Sequence, residues 1–257
     1  QVAPSRPFRD HVAWIAAQDV GAAEHYWRDQ LVGFDHPTRL ASDRGAGKGT
    51  FRLARAAVSL DPASTARMTA VARDRRVTMN TLVQTAWAVA LSCYSGDDDV
   101  VFGVTGAGRP TDLDGVEEMV GMFLSTLPMR VRFRAHQPVT TLWSEIQTRQ
   151  LNLTQFQYSS LADVARWSQV PPGTPLFETA RMFENYPRSS APDRTFAMEG
   201  HRVFEQTRLP LPLMIGSGEQ LEARALFDEH RFDRSASRDR RGQGPADPAD
   251  PDPAVGP

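Results

Sequence analysis

The sequence predicts a mixed α/β fold, and three observations support this class. Apolar residues recur at helical spacing over residues 8–31 and 78–94, as they do in helices that bury one face. Residues 100–105, VVFGVT, form a nearly unbroken apolar run, which is typical of a strand covered on both sides. Hydrophobic residues make up 40% of the 257 residues, enough for the buried core of one large or two small domains.

The region from residue 100 to residue 133 is predicted to form a strand, a glycine turn, a short helix and a second strand. Gly106, Gly108 and Pro110 end the first strand and place Arg109 in the turn. Polar residues at the bends of a buried strand pair could form a functional site. From the pattern alone, buried core with solvated turns is the preferred interpretation.

The short helix of this region is predicted from its capping residues. Asp114 is expected to cap a helix that runs through Val120, with acidic residues in its first turn. Gly121 is expected to stop the helix, after which residues 122–133 form a strand.

The remaining elements are predicted from spacing and from capping residues. In chain order they are two helices within residues 8–31, a strand at 50–60, helices at 61–76, 78–94, 139–157 and 160–167, and strands at 176–184, 203–217 and 221–232. Gly21 is expected to separate the first two helices, with Asp19 as the cap of the second. The helix at 78–94 carries almost no charge, so we expect it to be deeply buried. Pro210 and Pro212 favour an edge or an end of the sheet.

The composition argues against some classes of binding partner and indicates the cellular compartment. The net charge is -2, which argues against nucleic acid or an anionic membrane surface as a partner. No apolar run has transmembrane length and the first residues lack signal-peptide features, so we expect a cytoplasmic protein without a membrane partner. Cys93 is the only cysteine, which excludes an internal disulfide and fits a reducing compartment.

The sequence contains no self-contained catalytic motif. Walker, dinucleotide-binding and G-x-S-x-G patterns are absent. The six histidines show no close pair suited to a metal, and one cysteine cannot complete a zinc site, so no metal is expected. Each histidine is interpreted as a surface residue. The run Asp97-Asp98-Asp99 is interpreted as a solvated turn and not as a calcium site.

Five segments, in this order, resemble the condensation domains of nonribosomal peptide synthetases. They are FRDHVAW at 8–14, which is similar to the family's Y-x-D-x-x-x-W motif, the AAEHYWRDQL helix at 22–31, the buried helix and strand at 79–110, VGMFLSTLPMRV at 120–131, which is similar to V-G-x-F-x-N-T-x-P-x-R-V, and residues 159–187, which end in FENYP. The resemblance covers about residues 8 to 232.

This resemblance implies an α/β fold related to chloramphenicol acetyltransferase, built from two similar lobes. The chain would be the C-terminal lobe, a two-layer sandwich with a mixed sheet covered by helices. The implied divisions are entry helices and a linker at 1–49 and the lobe at 50–234. Residues 235–257, rich in Pro and Asp, have no apolar periodicity and are predicted from their composition to be a disordered tail.

The resemblance also implies a reaction. In the family, donor and acceptor groups are carried on the phosphopantetheine of peptidyl carrier proteins and meet between the lobes. The amine of one tethered aminoacyl group attacks the thioester of the other, and an amide forms. No cofactor is expected to bind this chain directly.

The family's H-H-x-x-x-D-G motif has no counterpart in the sequence, because no two histidines are adjacent. The second histidine of that motif serves as the general base or positions the amine. The motif precedes Y-x-D-x-x-x-W in the family, so the N-terminal lobe would lie before Gln1. We therefore expect no catalytic residue in this chain and no activity of the chain alone. Whether it is an enzyme stays open; the alternatives are a non-catalytic carrier-protein-binding module, a decayed fragment, or a relative that epimerises or forms esters.

Motif positions imply roles for individual residues. Arg109 matches the arginine that pairs with the aspartate of H-H-x-x-x-D-G and so supports the active site. Ser125 and Thr126 match an Asn-Thr pair in the wall of the substrate tunnel, although Ser is shorter than the usual Asn. Structural roles are implied for Asp10, Trp14, Gly121, Arg130 and Thr207.

Overall fold

A computed structural model describes residues 6–40, 52–184 and 209–232 of the chain. Its first half contains α1 (Arg9–Ala16), α2 (Val20–Gln30), β1 (Leu53–Ser59), α3 (Pro62–Asp74), α4 (Met79–Ser95) and β2 (Asp99–Gly106). A single 3-10 turn (Val116–Glu118) is followed by β3 (Ser125–Arg132), α5 (Val139–Gln155), α6 (Leu161–Trp167), β4 (Thr179–Glu184), β5 (Leu211–Gly216) and β6 (Glu222–Asp228).

The six described strands form one mixed sheet in the order β1-β6-β5-β4-β2-β3. The β2–β4 and β4–β5 pairs are parallel, and the other three pairs are antiparallel. The carboxyl ends of β2, β4 and β5 therefore lie at one edge of the sheet, where β2 leads into the segment that carries Arg109. A mixed sheet covered by helices confirms the predicted α/β class.

Three apolar clusters hold the helices and the sheet together. In the largest, side chains of α2, α4, α5 and α6 pack with β2 and β3, and Phe102 at its centre is fully buried. In the second, α3 and α4 pack over β5 and β6. The third is small and contains Leu113, Val116, Met119 and Phe123, with Phe8 and Trp14 packed against them. This third cluster joins α1 to the segment that follows β2.

Side-chain caps begin four helices and confirm two predictions. The Asp19 carboxylate accepts a hydrogen bond from the backbone N–H of Ala22, and the Asp61 carboxylate accepts one from that of Ser64. Thr78 and Ser160 cap α4 and α6 in the same way. Each cap pairs a backbone donor that the first turn leaves free.

The predicted boundaries near two glycines are wrong. Gly21 lies inside α2, because the Asp19 cap starts that helix at Val20. Asp114 caps no helix; Gly115, at φ +74°, precedes a single 3-10 turn that ends at Glu118, well before Gly121. The turn ends because Met119 is extended, at φ -67° and ψ 137°, and the carbonyls of Val116 and Met119 accept hydrogen bonds from Arg109.

Burial differs from expectation at three other places. Helix α4 is buried on all sides only in its first half, at residues 81–85, whereas Val89 and Tyr94 in its second half are exposed. Asp99 begins β2 and is ion-paired, so only part of the acidic run is a turn. Strand β5 lies inside the sheet, and not at an edge as its prolines suggested. Pairing with β6 begins only at Leu213, so the N–H that Pro212 lacks removes no hydrogen bond to β6. The expectations for Thr207 and for the tail at 235–257 fall outside the described residues.

A buried arginine fastens the end of β3 to neighbouring elements. The Arg130 side chain is 6% exposed, and its Nε and Nη2 atoms donate to the Asp99 carboxylate at 2.8 and 2.6 Å. Its Nη1 donates to the carbonyls of Gln30 and Val32, which lie at the end of α2 and just after it. One guanidinium thus joins the start of β2, the end of β3 and the end of α2.

Replacing Arg130 should therefore destabilise the fold. We expect Arg130→Ala to lower the free energy of unfolding by roughly 3 kcal/mol, the lower end for a broken buried pair, because Asp99 is partly exposed. Urea unfolding measures this loss. The matched control is Arg166→Ala, which removes an exposed pair with Asp163 and should cost less than about 1 kcal/mol. Equal losses for the two variants would contradict this account.

Candidate functional site

The segment of residues 107–124 links β2 to β3, and we call it the arginine loop. It leaves the sheet after Gly106 and returns at Ser125, and these two residues are paired with each other. Gly108 has φ +64°, and a Cβ there would overlap the backbone of Phe123. A glycine is therefore required where the two ends of the loop pass each other.

Three contacts within the loop hold the Arg109 guanidinium. Nη1 donates a hydrogen bond to the carbonyl of Val116, and Nη2 donates one to the carbonyl of Met119 at 3.2 Å. Cζ lies 4.1 Å from the centre of the Phe123 ring, a cation–π distance. Among the described residues, no carboxylate forms an ion pair with Arg109. The cation is oriented by the loop without being neutralised by it.

Helix α1 packs against this loop through a histidine that the sequence analysis misplaced. His11 is 5% exposed, so the expectation of a surface histidine is wrong. Its ring lies 4.6 Å from that of Phe123 and stacks on Trp14 at 5.9 Å. Burial lowers the pKa of His11, the backbone of Gly108 raises it, and the positive charge of Arg109 lowers it further. The position of His11 midway between Phe8 and Trp14 on one helix face was the available signal.

Asp10, Trp14 and Gly121 all lie where α1 meets the arginine loop. Trp14 Nε1 donates a hydrogen bond to the Asp112 carboxylate at 3.1 Å. Asp10 accepts one at 2.8 Å from Arg6, whose Nη1 in turn donates to the Asp114 carbonyl. A Cβ on Gly121 would overlap the ring of Phe8. These contacts pin the loop to the helix along its length.

Ser125 and Thr126 are the first two residues of β3. They pair with Gly106 and Thr105 respectively, at the same end of the β2–β3 hairpin as the arginine loop. The hydroxyls of Thr126 and Thr105 are 2.8 Å apart and hydrogen-bonded, so the Thr126 side chain is already engaged. Consecutive strand residues point to opposite faces, so Ser125 and Thr126 cannot both line one wall from the same face of the sheet.

Arg130 does not join this arrangement in the structure. Arg130 lies at the other end of β3, where it pairs with Asp99. Thr207 lies outside the described residues. In the part of the chain that the structure covers, no cluster of His, Cys, Asp or Glu is suited to a metal. No helix among residues 6–40, 52–184 and 209–232 is long and apolar enough to cross a bilayer.

The sheet is tightly packed directly beneath Thr126. Gly103 on β2 pairs with Pro128 on β3 and with Ala180 on β4. A Cβ on Gly103 would lie 2.6 Å from the Phe177 ring, 2.7 Å from Ala180 Cβ and 2.9 Å from Thr126 Cγ2. The end of the β2–β3 hairpin next to the arginine loop therefore requires glycine at position 103.

The sequence matches a known family over most of its length. The model of the condensation domain family matches residues 1–238. The chain is 42% identical over 234 residues to a linear gramicidin synthase of Brevibacillus parabrevis, an alignment that covers 88% of this chain. It is 38% identical over 224 residues to chondramide synthase cmdD of Chondromyces crocatus, which covers 86% of this chain. This protein belongs to the condensation domain family.

The solved structures agree on the fold. The X-domain from teicoplanin biosynthesis superimposes with a TM-score of 0.76 at 21% identity, covering 92% of this chain and 57% of that one. The chain therefore has the chloramphenicol acetyltransferase-like fold of condensation domains. It spans 3% of the length of the gramicidin synthase and 6% of the chondramide synthase.

Gly103 and Gly106 make a matched pair for testing the packing beneath Thr126. Gly103→Ala should lower the free energy of unfolding by about 1–3 kcal/mol, because its Cβ forces Phe177 and Ala180 apart. Gly106→Ala, in the same strand, meets nothing within 4 Å and should change it by less than about 0.5 kcal/mol. Urea unfolding of both variants measures the difference, and a Gly103→Ala protein as stable as the Gly106→Ala protein would refute the packing argument.

Proposed function

We propose that this chain is the C-terminal lobe of a condensation domain that joins two carrier-protein-bound thioesters through an amide bond. The observation that carries the proposal is the environment of Arg109. Two carbonyls and an aromatic ring hold its guanidinium, but no carboxylate in the described residues pairs with it. A guanidinium has five N–H donors, so an acid from outside the lobe can still bind it. We propose that this acid is the aspartate of an H-H-x-x-x-D-G segment on a complementary N-terminal lobe.

The proposed reaction needs a base that this chain does not supply. The acceptor amine attacks the donor thioester carbon, the C–S bond breaks, and an amide and a free phosphopantetheine thiol form. The amine loses a proton to the base, and the thiolate takes one up. None of the six histidines has a histidine neighbour in the sequence, so we propose that the chain alone is inactive. The carrier proteins and the second lobe are the proposed partners, and the cytoplasm is the proposed location.

Exposed apolar residues on the arginine loop support a second lobe as partner. Val120 is 84% exposed, Met122 is 82% exposed and Leu124 is 55% exposed, whereas Met119 and Phe123 beside them are buried. Large exposed apolar side chains concentrated in one segment favour packing against another protein surface. Its position beside Arg109 fits a lobe interface that contains the substrate tunnel. Ser125, at the foot of the loop, is the proposed side-chain contribution to the tunnel wall, because Thr126 faces the other side of the sheet and its hydroxyl is bonded to that of Thr105.

A second candidate function is binding without catalysis. A structure of the same fold shows the X-domain in complex with OxyB from teicoplanin biosynthesis. A module that binds a partner protein has no need of the paired histidines that this chain lacks. Turnover by the reconstituted two-lobe protein distinguishes the two functions, because a binding module would form a complex but no amide.

Arg109 should be essential for turnover in the two-lobe protein. Arg109→Ala removes a charge-assisted hydrogen bond worth about 1.5–3 kcal/mol, so we expect condensation to slow roughly 10- to 100-fold. The affinity for loaded carrier proteins should not change. The exposed Arg166→Ala serves as the control and should turn over like the unsubstituted protein. An undiminished rate with Arg109→Ala would remove Arg109 from the site.

A further inference from the structure

Helix α1 presents three rings on one face, and His11 is the middle one. Phe8, His11 and Trp14 are spaced three residues apart, which places them along one side of the helix. The His11 ring stacks nearly parallel on Trp14, with an interplanar angle of 9°, and lies 5.3 Å from the ring of Phe8. With 5% exposure, His11 is closed off from solvent by this arrangement.

Phe123 connects these rings to Arg109. Its ring lies 4.6 Å from His11 and 5.0 Å, edge-on, from Phe8. The same ring lies 4.1 Å from the Arg109 guanidinium. Helix α1 therefore fixes the position of the Phe123 ring. That ring in turn provides one of the three contacts that hold Arg109. His11 reaches Arg109 through Phe123 and touches no reacting group.

The charges around His11 favour its neutral form. Arg109 and Asp112 come from the arginine loop, Asp10 comes from the first turn of α1, and Arg6 precedes that helix. Asp112 accepts a hydrogen bond from Trp14, and Asp10 is paired with Arg6, so both acids are engaged elsewhere. Nδ1 of His11 is buried and makes no hydrogen bond within the described residues. The backbone of Gly108 favours the protonated ring, but burial and the charge of Arg109 outweigh it, so the pKa of His11 is lowered. A proton on His11 would therefore place a buried cation next to the half-buried Arg109.

We propose that neutral His11 is a positioning residue for Arg109, acting through Phe123, and that protonation of His11 releases the arginine loop from α1. The inference rests on the proposed role of Arg109 at the condensation site. Because the pKa of His11 is lowered in the folded state, the unfolded chain binds the proton more readily. The packing of the loop on α1 should weaken as the pH falls below the ordinary histidine pKa of about 6.5.

Kinetics of the two-lobe protein across the pH range test the proposal. His11→Phe keeps an aromatic ring that cannot be protonated, so its turnover should match the unsubstituted protein at neutral pH and fall less on the acid side. His11→Ala leaves Phe123 unsupported and should lower kcat roughly tenfold without raising KM for the loaded carrier proteins. The exposed His25→Ala is the matched control and should leave both the rate and the pH profile unchanged.

The results distinguish this inference from the role of Arg109 itself. If Arg109→Ala is slow while both His11 variants match the unsubstituted protein in kcat and pH profile, the positioning role is wrong and the role of Arg109 stands. If Arg109→Ala turns over normally, both are wrong.

An NMR titration of the His11 ring in this chain gives a readout that does not depend on turnover. The pKa of His11 should be below its ordinary value and should rise in Arg109→Ala, because a neighbouring positive charge has been removed. A pKa of His11 that Arg109→Ala leaves unchanged would contradict the coupling.

Discussion

The arrangement of the candidate site depends on how the Arg109 guanidinium is held. Two carbonyls of the arginine loop accept its hydrogen bonds, and the Phe123 ring lies beneath it. The Val116 carbonyl also closes the single 3-10 turn, and the same ring packs against α1. The local structure of the loop, the docking of α1 and the orientation of the cation are therefore consequences of one set of contacts.

Two arginines at opposite ends of the β2–β3 hairpin show how differently one residue type can be used. Arg130 is buried and paired with Asp99, so its charge is balanced within the lobe and its effect is on stability. Within the described residues Arg109 contacts only neutral carbonyls and a ring, so its charge remains available to a group outside them. This difference in partners, more than exposure, separates a structural arginine from a candidate functional one.

Much of this fold could be predicted from the sequence, because β2 and α4 are long elements with clear apolar patterns and Asp19 and Asp61 are local caps. The errors fall where distant contacts decide the outcome. His11 is buried because Phe123, far along the chain, covers it. Asp99 looked like part of a solvated turn because its partner Arg130 lies on another strand. The resemblance to the family pointed to Arg109, but no local pattern could show that the loop leaves its charge without a carboxylate.

The most direct test of the central claim is complementation of this chain with an N-terminal lobe that contains H-H-x-x-x-D-G. Formation of dipeptide from two loaded carrier proteins is measured for each lobe alone and for the mixture. The account predicts product only from the mixture, since it assigns the base and Arg109 to different lobes. Product from this chain alone, or none from a mixture in which the lobes demonstrably associate, would contradict the assignment of half an active site to this protein.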